Sequence, residues 1–354
     1  MARIRLADVA AQAGVSAATV SKYLNGHHKE MSAATRERIA AVVERTGYRP
    51  NSVARNLRLD RSRMLGVILA DIRNPYSSAM LEELSAQAAA ANYTLTCAIS
   101  GNDPAKEAAA IERLLEAGAE GLIVNTCGSN DERLCETNAR VPVVLLDRDL
   151  DGSVQPSAAA RAASQKAAGR SRCALDLVTS NNGRLVCELL DEVATPGMRV
   201  HLLTEADATS SIRRERALTF MRELSVRRLT GSTLTLPAKP RAAARMVMEL
   251  ADAHIPLGLI AVNGLVFQQL VEAVTLSGLL VPERLRIATF DEYPWNRVLF
   301  GGVTTAAQDT HAIAEAALER LIERMDNVSA SGAEHDAWRI EIPGSIIRRA
   351  STGN

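Results

Sequence analysis

Hydrophobic positions near the start of the chain recur at helical spacing. Leu6, Val9, Ala10 and Ala13 would share one face of a helix of about two turns. Gly14 follows directly, and glycine adopts the positive φ of a sharp turn without steric cost. The pattern therefore predicts a short amphipathic helix that ends in a tight glycine turn.

Two further helices are predicted after this turn. Ser16 is a good N-cap, and Val20 and Leu24 give the second helix its apolar stripe. Ser32 can cap a third helix, Ala33–Thr46, which Gly47 would end. Two short helices joined by a glycine turn are typical of a helix-turn-helix unit, and a plain helical hairpin is the alternative.

From Leu65 onward, short apolar runs alternate with amphipathic stretches of helical length. Such alternation predicts an α/β fold of parallel strands joined by crossover helices, here long enough for two sheets. The predicted strands are Leu65–Ala70, Leu95–Ser100, Gly121–Asn125, Val141–Leu146, Val200–Leu203, Thr233–Leu236, Leu259–Val262 and Arg286–Phe290. The predicted helices include Ser78–Ala91, Ala105–Ala117, Arg213–Leu224, Ala242–Ala253 and Val266–Ser277.

Charge is distributed unevenly along the chain. The 354 residues carry 41 Lys+Arg and 41 Asp+Glu, so the formal net charge is zero. Residues 1–63 nevertheless hold 12 basic and five acidic side chains, an excess of +7, which leaves −7 for residues 64–354. This asymmetry indicates a basic module attached to an acidic body.

Three short helices with a positive excess form a plausible DNA-reading unit. The second helix would enter the major groove with Ala17, Ala18 and Lys22, because lysine can donate to guanine and alanine methyls suit the thymine methyl. The polar side chains around this helix can contact phosphates and set the register. These candidates are Ser16, Thr19, Ser21 and Asn25.

The segment after the third helix reads Arg49-Pro-Asn-Ser-Val-Ala-Arg-Asn-Leu57. Pro50 breaks the preceding helix, and Asn51 can cap a new one of about two turns, which is marginal in isolation. A short basic helix that carries an apolar Leu57 is suited to folding on DNA and wedging a base step. An ordinary linker is the alternative.

The composition disfavours several other classes of protein. No apolar run approaches the roughly 20 residues that span a bilayer, and the N-terminus has no signal-peptide pattern, so we expect a cytoplasmic protein that does not engage membranes. The five cysteines are odd in number and lack a CxxC pair, which favours reduced thiols. No phosphate-loop, dinucleotide, zinc-protease or serine-hydrolase motif is present, so we expect no enzymatic activity, metal site or cofactor.

Polar residues follow several predicted strands. Asp71 to Tyr76 come after the first strand and Asp147-Arg148 after the fourth, while Asn263-Gly264 and Asp291-Glu292 follow later ones. Each group is compatible with ordinary loop chemistry. Their shared position at strand carboxyl ends favours a ligand pocket there.

The first sixty residues resemble a known family. LADVAAQAGVSAATVSKYLN and MSAATRERIAAVVERTGYRPNSVARNL are similar to the DNA-binding head and hinge of the lactose/galactose-repressor (LacI/GalR) family. The resemblance implies that Ala17, Ala18 and Lys22 face base edges. It also implies that Leu57, paired across a dimer, wedges the minor groove with Arg55 nearby.

The resemblance continues through the acidic body. GVILADIRNPY, EGLIVN, VPVVLLDR, SSIRRERALTF, LIAVN, VPERLRIATFDE and VTTAAQD are similar to landmarks of the family's effector domain. That implies a small all-α head followed by a core resembling periplasmic binding proteins, with two subdomains of parallel sheets. The implied ranges are a head over 1–49, a hinge over 50–63, a first subdomain over 64–194 and 308–338, and a second over 195–307 and 339–354.

The resemblance also implies which side chains bind a small effector between the subdomains. They are Asp71, Asn74, Tyr76, Arg148, Arg216, Asn263 and Asp291. Carboxylates and amides suit sugar hydroxyls, Arg216 or Arg148 can pair a carboxylate or phosphate, and Tyr76 can stack on a ring.

Some positions depart from the family pattern. Val178-Thr-Ser-Asn-Asn182 stands where an Asp-Asn pair is usual, Gly264 replaces an expected aspartate, and Thr219 replaces a usual glycine. The link between Asp147 and Val178 is longer than usual, with an Ala-rich stretch from Ser157 to Ala168. We interpret this stretch as a surface insertion, with a functional lid as the alternative.

The sequence therefore predicts a homodimeric transcription regulator, with a tetramer as the alternative assembly. It would bind palindromic double-stranded DNA, most simply as a repressor, under control of a sugar or sugar acid. The ADIRNPYSS loop resembles the branch that responds to sugar acids, and a neutral sugar is the second choice. Induction and corepression both stay open. A solute-binding or enzymatic α/β protein with an N-terminal docking module is the alternative function.

Overall fold

The computed structural model describes residues 4–24, 31–48, 61–150, 175–206, 210–251, 255–327 and 337–353. The chain divides into two compact units, residues 1–62 and 63–354. The Ala-rich insertion lies outside the described residues, so its expected surface position stays a prediction.

Within its described residues, the first unit contains three short helices, α1 (Leu6–Ala13), α2 (Ala17–Leu24) and α3 (Ala33–Thr46). Gly14 ends α1 with a φ of 63°, and the Val15 amide donates to the Ala10 carbonyl. This pairing closes the last turn of α1 and reverses the chain into α2. Val9, Val20 and Ile39, one residue from each helix, are fully buried together.

The described ranges of the second unit contain twelve strands and eight further helices. The strands are β1 (Met64–Leu69), β2 (Thr94–Ile99), β3 (Gly121–Val124), β4 (Val143–Leu146), β5 (Asp176–Ser180), β6 (Arg199–Thr204), β7 (Thr230–Thr235), β8 (Leu257–Ala261), β9 (Leu285–Phe290), β10 (Thr304–Ala307), β11 (Arg339–Ile342) and β12 (Ser345–Ile347). The helices are α4 (Pro75–Ala90), α5 (Pro104–Glu116), α6 (Asp131–Asn138), α7 (Asn182–Val193), α8 (Ser211–Arg227), α9 (Pro240–Leu250), α10 (Gly264–Ser277) and α11 (Thr310–Asn327). Short 3₁₀ turns cover Pro294–Arg297, Leu299–Gly301 and Ala350–Thr352.

The strands form two six-stranded sheets, each at the centre of one subdomain. The first has the order β11-β5-β4-β3-β1-β2 and is parallel throughout. The second has the order β12-β10-β9-β8-β6-β7, and within it β12 alone runs antiparallel to its neighbour. The central strands β1, β3, β4 and β8 are rich in Val, Leu and Ile because helices cover both faces of each sheet. This arrangement is the α/β class that the sequence predicts.

The chain passes between the subdomains three times. β5 leads into α7, whose Leu185, Leu189 and Val193 pack in the core of the second sheet. β10 leads back into α11, which packs against the first sheet. β11 then pairs with β5 in the first sheet, and β12 pairs with β10 in the second.

Two expected subdomain boundaries differ from the structure. Residues 182–193 pack with the second sheet although the prediction placed them in the first subdomain. Residues 339–342 form a strand of the first sheet although the prediction placed them in the second. The apolar pattern of a helix or strand shows that it is buried but not against which sheet, and this ambiguity explains both errors.

The cysteines are not all reduced thiols. Cys97, Cys127 and Cys187 are free, as expected. Cys135 is disulfide-bonded, so the expectation of a reduced thiol is wrong there. Sequence spacing does not reveal which cysteines the fold brings close enough to pair.

Candidate functional site

Polar residues collect where the carboxyl edges of the two sheets face each other. Asp71 and Asp147 follow β1 and β4 of the first subdomain, and Asn263 and Asp291 follow β8 and β9 of the second. All four are buried. Carboxyl ends of parallel strands lie on one edge of a sheet, so these side chains converge on one region. We call this region the cleft.

Arg216 of α8 is a fully enclosed cation in the cleft. Its Nε donates to Asn182 Oδ1 at 2.8 Å and its Nη1 to the Val262 carbonyl at 2.7 Å. The guanidinium lies 3.8 Å from the centroid of the Phe290 ring, which adds a cation–π contact. No described residue accepts a hydrogen bond from its Nη2. The remaining edge of the guanidinium can therefore meet an acceptor on a ligand.

Two buried carboxyl groups, those of Asp147 and Asp291, interact electrostatically with Arg216. Burial raises the pKa of Asp147, and Arg216 and Arg148 offset part of that effect. Burial likewise raises the pKa of Asp291, and the charge of Arg216 together with hydrogen bonds from Gln308 and the Gly264 amide counteracts this rise. Asp291 is thus surrounded by donors, whereas Asp147 depends mainly on positive charges at a distance.

Two buried oxygens in the cleft lack hydrogen-bond partners among the described residues. They are Oδ1 of Asp147 and the hydroxyl of Tyr76. Burial raises the pKa of Tyr76 strongly, and the charges of Asp147 and Asp291 add to the effect. A buried polar atom without a partner costs about 1–3 kcal/mol, so both atoms are suited to a ligand that supplies the missing bonds.

The side of the cleft formed by the second subdomain carries a polar network. Arg213 of α8 forms an ion pair with Glu205 at 2.6 Å. Asn263 Nδ2 donates to the same carboxylate oxygen at 2.8 Å, while Asn263 Oδ1 caps α10 by accepting from the Val266 amide. Asn263 is therefore already engaged by the protein.

Two charged residues of the first subdomain are held by neighbours within it. Arg148 Nη1 donates to Asn102 Oδ1 at 2.7 Å and to the Thr126 carbonyl at 3.3 Å. Asp71 accepts two bonds from the Arg73 guanidinium, at 3.0 and 2.7 Å. Burial acts to raise the pKa of Asp71, but the contacts with Arg73 outweigh it and lower the pKa.

A tyrosine that the sequence did not single out joins the subdomains. The Tyr293 hydroxyl accepts a bond from the Tyr76 amide at 3.1 Å and lies 3.3 Å from Asn74 Oδ1. Asn74 also caps α4 by accepting from the Tyr76 amide at 3.2 Å. Burial raises the pKa of Tyr293, so the phenol is neutral at physiological pH.

The structure thus places all seven predicted effector residues around the cleft but in different states. Asp71, Asn74, Asn263 and Asp291 hold bonds to the protein, Arg148 is anchored within its subdomain, and Tyr76 and Arg216 retain bonding capacity. Asn182 and Tyr293 were missed, and Asp147 was predicted near the pocket without being assigned to the effector. Asp147 directly precedes Arg148 at a strand end, and Asn182 lies in the segment that departs from the family pattern. Tyr293 carried no signal, because its role depends on its neighbours in space.

The first unit presents the predicted DNA-reading helix to solvent. Ser16, Ala17, Ala18 and Lys22 are exposed, and Thr19 and Ser21 are partly exposed. Ser16 Oγ accepts from the Thr19 amide at 3.2 Å and caps α2. The opposite face of α2 is buried through Val20. Asn25, Asn51, Arg55 and Leu57 lie outside the described residues, so their assigned contacts stay predictions.

The described ranges hold neither a membrane-spanning helix nor a metal-binding cluster. None of their helices combines the length and the apolarity that crossing a bilayer requires. None of their groups of His, Cys, Asp and Glu has the arrangement of a metal site.

Together, a three-helix reading unit and a two-subdomain core with a polar cleft define a ligand-responsive DNA-binding protein. Residues 5–51 match the family model of bacterial regulatory proteins, lacI family. Residues 62–172 match periplasmic binding proteins and the sugar-binding domain of the LacI family, and residues 197–352 match a periplasmic binding protein-like domain.

Relatives match over the whole length. The HTH-type transcriptional regulator PtxS of Pseudomonas plecoglossicida is 32% identical over 99% of this chain and 96% of its own. KdgR of Bacillus subtilis, also an HTH-type transcriptional regulator, is 28% identical over 97% and 96%. A lac repressor dimer bound to operator and an anti-inducer superposes with a TM-score of 0.76 over 99% of both chains, at 20% identity. The chain belongs to the lacI family of bacterial regulatory proteins and is a helix-turn-helix transcriptional regulator.

Proposed function

We propose that this regulator is a homodimeric repressor of genes for carbohydrate or sugar-acid metabolism. It would bind a palindromic operator with α2 in the major groove, and an effector in the cleft would change its operator affinity. The observation that carries the proposal is a pair of buried oxygens, Asp147 Oδ1 and the Tyr76 hydroxyl, which have no hydrogen-bond partner in the described part of the chain and lie near Arg216. A polyhydroxylated ligand supplies both donors and acceptors to such a site.

A conformational linkage would connect cleft and operator. An effector that contacts both subdomains favours one of their relative positions, and it can shift operator affinity only by its difference in affinity for the two states. The segment over residues 50–63 would transmit this change to a dimeric hinge. Specific binding by such proteins exceeds non-specific binding by typically about 4–10 kcal/mol, which sets the range available for control.

We favour a sugar acid as the effector, with a neutral sugar second. The open edge of Arg216 suits a carboxylate, and hydroxyls of the same molecule can donate to Asp147. The sucrose operon repressor of Klebsiella pneumoniae, 33% identical over 44% of this chain, supports a carbohydrate-related role. We further propose cytoplasmic action without catalysis or a cofactor.

The test begins with operator selection from random duplex DNA by the full-length protein. We expect a palindromic consensus and a steep loss of affinity with salt, because several phosphate contacts release counterions. Lys22→Ala should lower specific affinity by about 1–3 kcal/mol, with loss of base preference at one position in each half-site. Lys106→Ala, which removes a lysine of the second unit, is the matched control and should change neither.

The effector is tested on the selected operator with D-gluconate and D-glucitol, which share a six-carbon chain and differ in the carboxylate. We expect gluconate to change operator affinity and glucitol to act weakly. Equal responses would favour a neutral polyol over an acid. A flat salt response with no consensus would contradict the regulator itself and favour the alternative of a solute-binding protein with a docking module.

A further inference from the structure

Gly264 and Tyr293 occupy one space in the cleft. Gly264 is buried at the first position of α10, where the family pattern leads one to expect an aspartate. A Cβ atom at residue 264 would lie 2.5 Å from the Tyr293 hydroxyl and 2.8 Å from its Cε2. Contacts this short do not occur, so the phenol can hold its position only because residue 264 has no side chain.

From that position the phenol closes the gap between the subdomains. Its oxygen is 3.1 Å from the Tyr76 amide and 3.3 Å from Asn74 Oδ1, both at the beginning of α4. The other side of the ring stacks on Trp295, with centroids 5.0 Å apart. Separations of hydrogen-bond length leave no room for a ligand atom between the start of α4 and the start of α10.

The polar groups of the cleft differ in bonding capacity. At the Asn74 end, where the phenol lies, they are satisfied by the protein, since Asn74 caps α4 and Asp291 accepts from the Gly264 amide and Gln308. Asp147 Oδ1 and the Tyr76 hydroxyl, by contrast, are unpartnered among the described residues. A ligand is therefore needed by these two oxygens and not by the groups that contact the phenol.

We propose that Tyr293 is a specificity-determining residue that closes the Asn74 end of the cleft and limits the effector to a compact molecule. The inference rests on the proposed function, in which the cleft takes a sugar or sugar acid. The effector binds between Asp147, the Tyr76 hydroxyl and Arg216, and it does not extend past the phenol. Gly264 contributes to this closure because it leaves the space that the Tyr293 ring occupies.

The selectivity test uses two acids that differ in length. D-gluconate and maltobionate, a gluconate that carries one glucosyl unit, share the same acid end. Wild-type protein should bind gluconate and reject maltobionate in calorimetry. Tyr293→Ala should gain maltobionate affinity by at least about tenfold relative to gluconate. Tyr293→Phe keeps the ring and should still reject the longer acid.

A second readout requires no effector. Amide hydrogen exchange in the first turn of α4 should be several-fold faster in both Tyr293→Ala and Tyr293→Phe, because the Tyr76 amide loses its phenol acceptor. Gly264→Ala should produce the same change by pushing the phenol away. Tyr93→Phe, which removes the hydroxyl of another buried tyrosine of the first subdomain, is the control and should leave this turn unchanged.

The outcomes separate this inference from the proposed function. Unchanged exchange in Tyr293→Phe and Gly264→Ala would overturn the role of Tyr293, even if Tyr293→Ala fails to fold. Wild-type binding of maltobionate as tight as that of gluconate would overturn it as well. A third outcome is faster exchange together with no binding of any sugar or sugar acid. The contact of the phenol with α4 would then be established, but the proposed class of effector would be refuted. The claim that Tyr293 determines effector specificity would fail with it.

Discussion

At the scale of single residues, Asp147 shows how strongly a side chain can depend on its surroundings. It follows β4, is buried, and adopts a φ of 64°, which is uncommon for a residue with a side chain. Burial raises its pKa above the ordinary value of 3.8, while Arg216 and Arg148 favour the charged form. A carboxylate in this position is costly without a ligand and well prepared to accept hydrogen bonds from one.

Asp147→Asn should separate effector binding from stability. Asparagine tolerates a positive φ and removes the buried charge, so the free energy of unfolding at neutral pH should not fall. Effector affinity should fall by about 1.5–3 kcal/mol because charge-assisted hydrogen bonds are lost. Calorimetry with the active sugar or sugar acid measures the affinity, and Asp103→Asn, at the N-cap of α5, is the control.

The raised pKa of Asp147 also predicts that effector affinity depends on pH. A raised pKa in the folded protein means that the charged form of Asp147 costs stability once the pH rises through that pKa. An effector that binds the charged form competes with the proton. Affinity should therefore decline as the pH falls toward the raised pKa, and Asp147→Asn should remove this part of the decline. An identical pH profile in the variant would exclude Asp147 from effector contact.

At the scale of elements, α1 and α3 of the first unit both end at a glycine. Gly14 and Gly47 have φ values of 63° and 60°, and each closes its helix through a bond from the following residue to the preceding turn. A Cβ atom at Gly47 would have no neighbour within 4 Å. The requirement for glycine there lies in the backbone alone, without a contribution from packing.

Gly47→Ala should destabilise α3 by about 1–2 kcal/mol, because alanine disfavours the left-handed region. Amide exchange of α3 in the full-length protein should become roughly five- to thirtyfold faster. Gly47→Asn is the matched control and should retain most of the protection, since asparagine adopts this conformation more readily. If both variants lose protection of α3 equally, the loss is caused by the presence of a side chain at residue 47 and not by the positive φ.

At the scale of the whole molecule, the two units have separate hydrophobic cores. Val9, Val20 and Ile39 form the small core of the first, while both sheets of the second carry large cores of Val, Leu and Ile. A unit with so small a core is marginally stable by itself. The two units can consequently respond to different ligands.

Heating of the full-length protein should show two unfolding transitions. Operator DNA should raise the transition of the first unit. An effector at about a hundred times its Kd should stabilise the second unit by about 2.7 kcal/mol. Differential scanning calorimetry with each ligand checks this expectation, and an inert sugar of the same size is the control. A single transition that both ligands shift equally would contradict it.

The sequence by itself determined much of the architecture. The apolar runs of β1, β4 and β9 are recognisable because they are continuous, and the three short helices because their apolar residues share a face. β10, with the sequence Thr-Thr-Ala-Ala, was not predicted as a strand because its pairing partners, rather than its own hydrophobicity, make it one. Polar residues at strand ends marked the cleft because parallel strands align their carboxyl ends.

Only the tertiary structure decided the rest. It assigned α7 and β11 to their subdomains and placed the Tyr293 ring over Gly264. It also left Asp147 Oδ1 and the Tyr76 hydroxyl without a hydrogen-bond partner among the described residues. Periodicity and turn chemistry act between neighbours in sequence, so one chain displays them. Whether a polar atom finds a partner, and whether two side chains compete for one space, depends on residues far apart in sequence. Gly264 and Tyr293, for example, are more than twenty positions apart and come into contact only once the chain has folded.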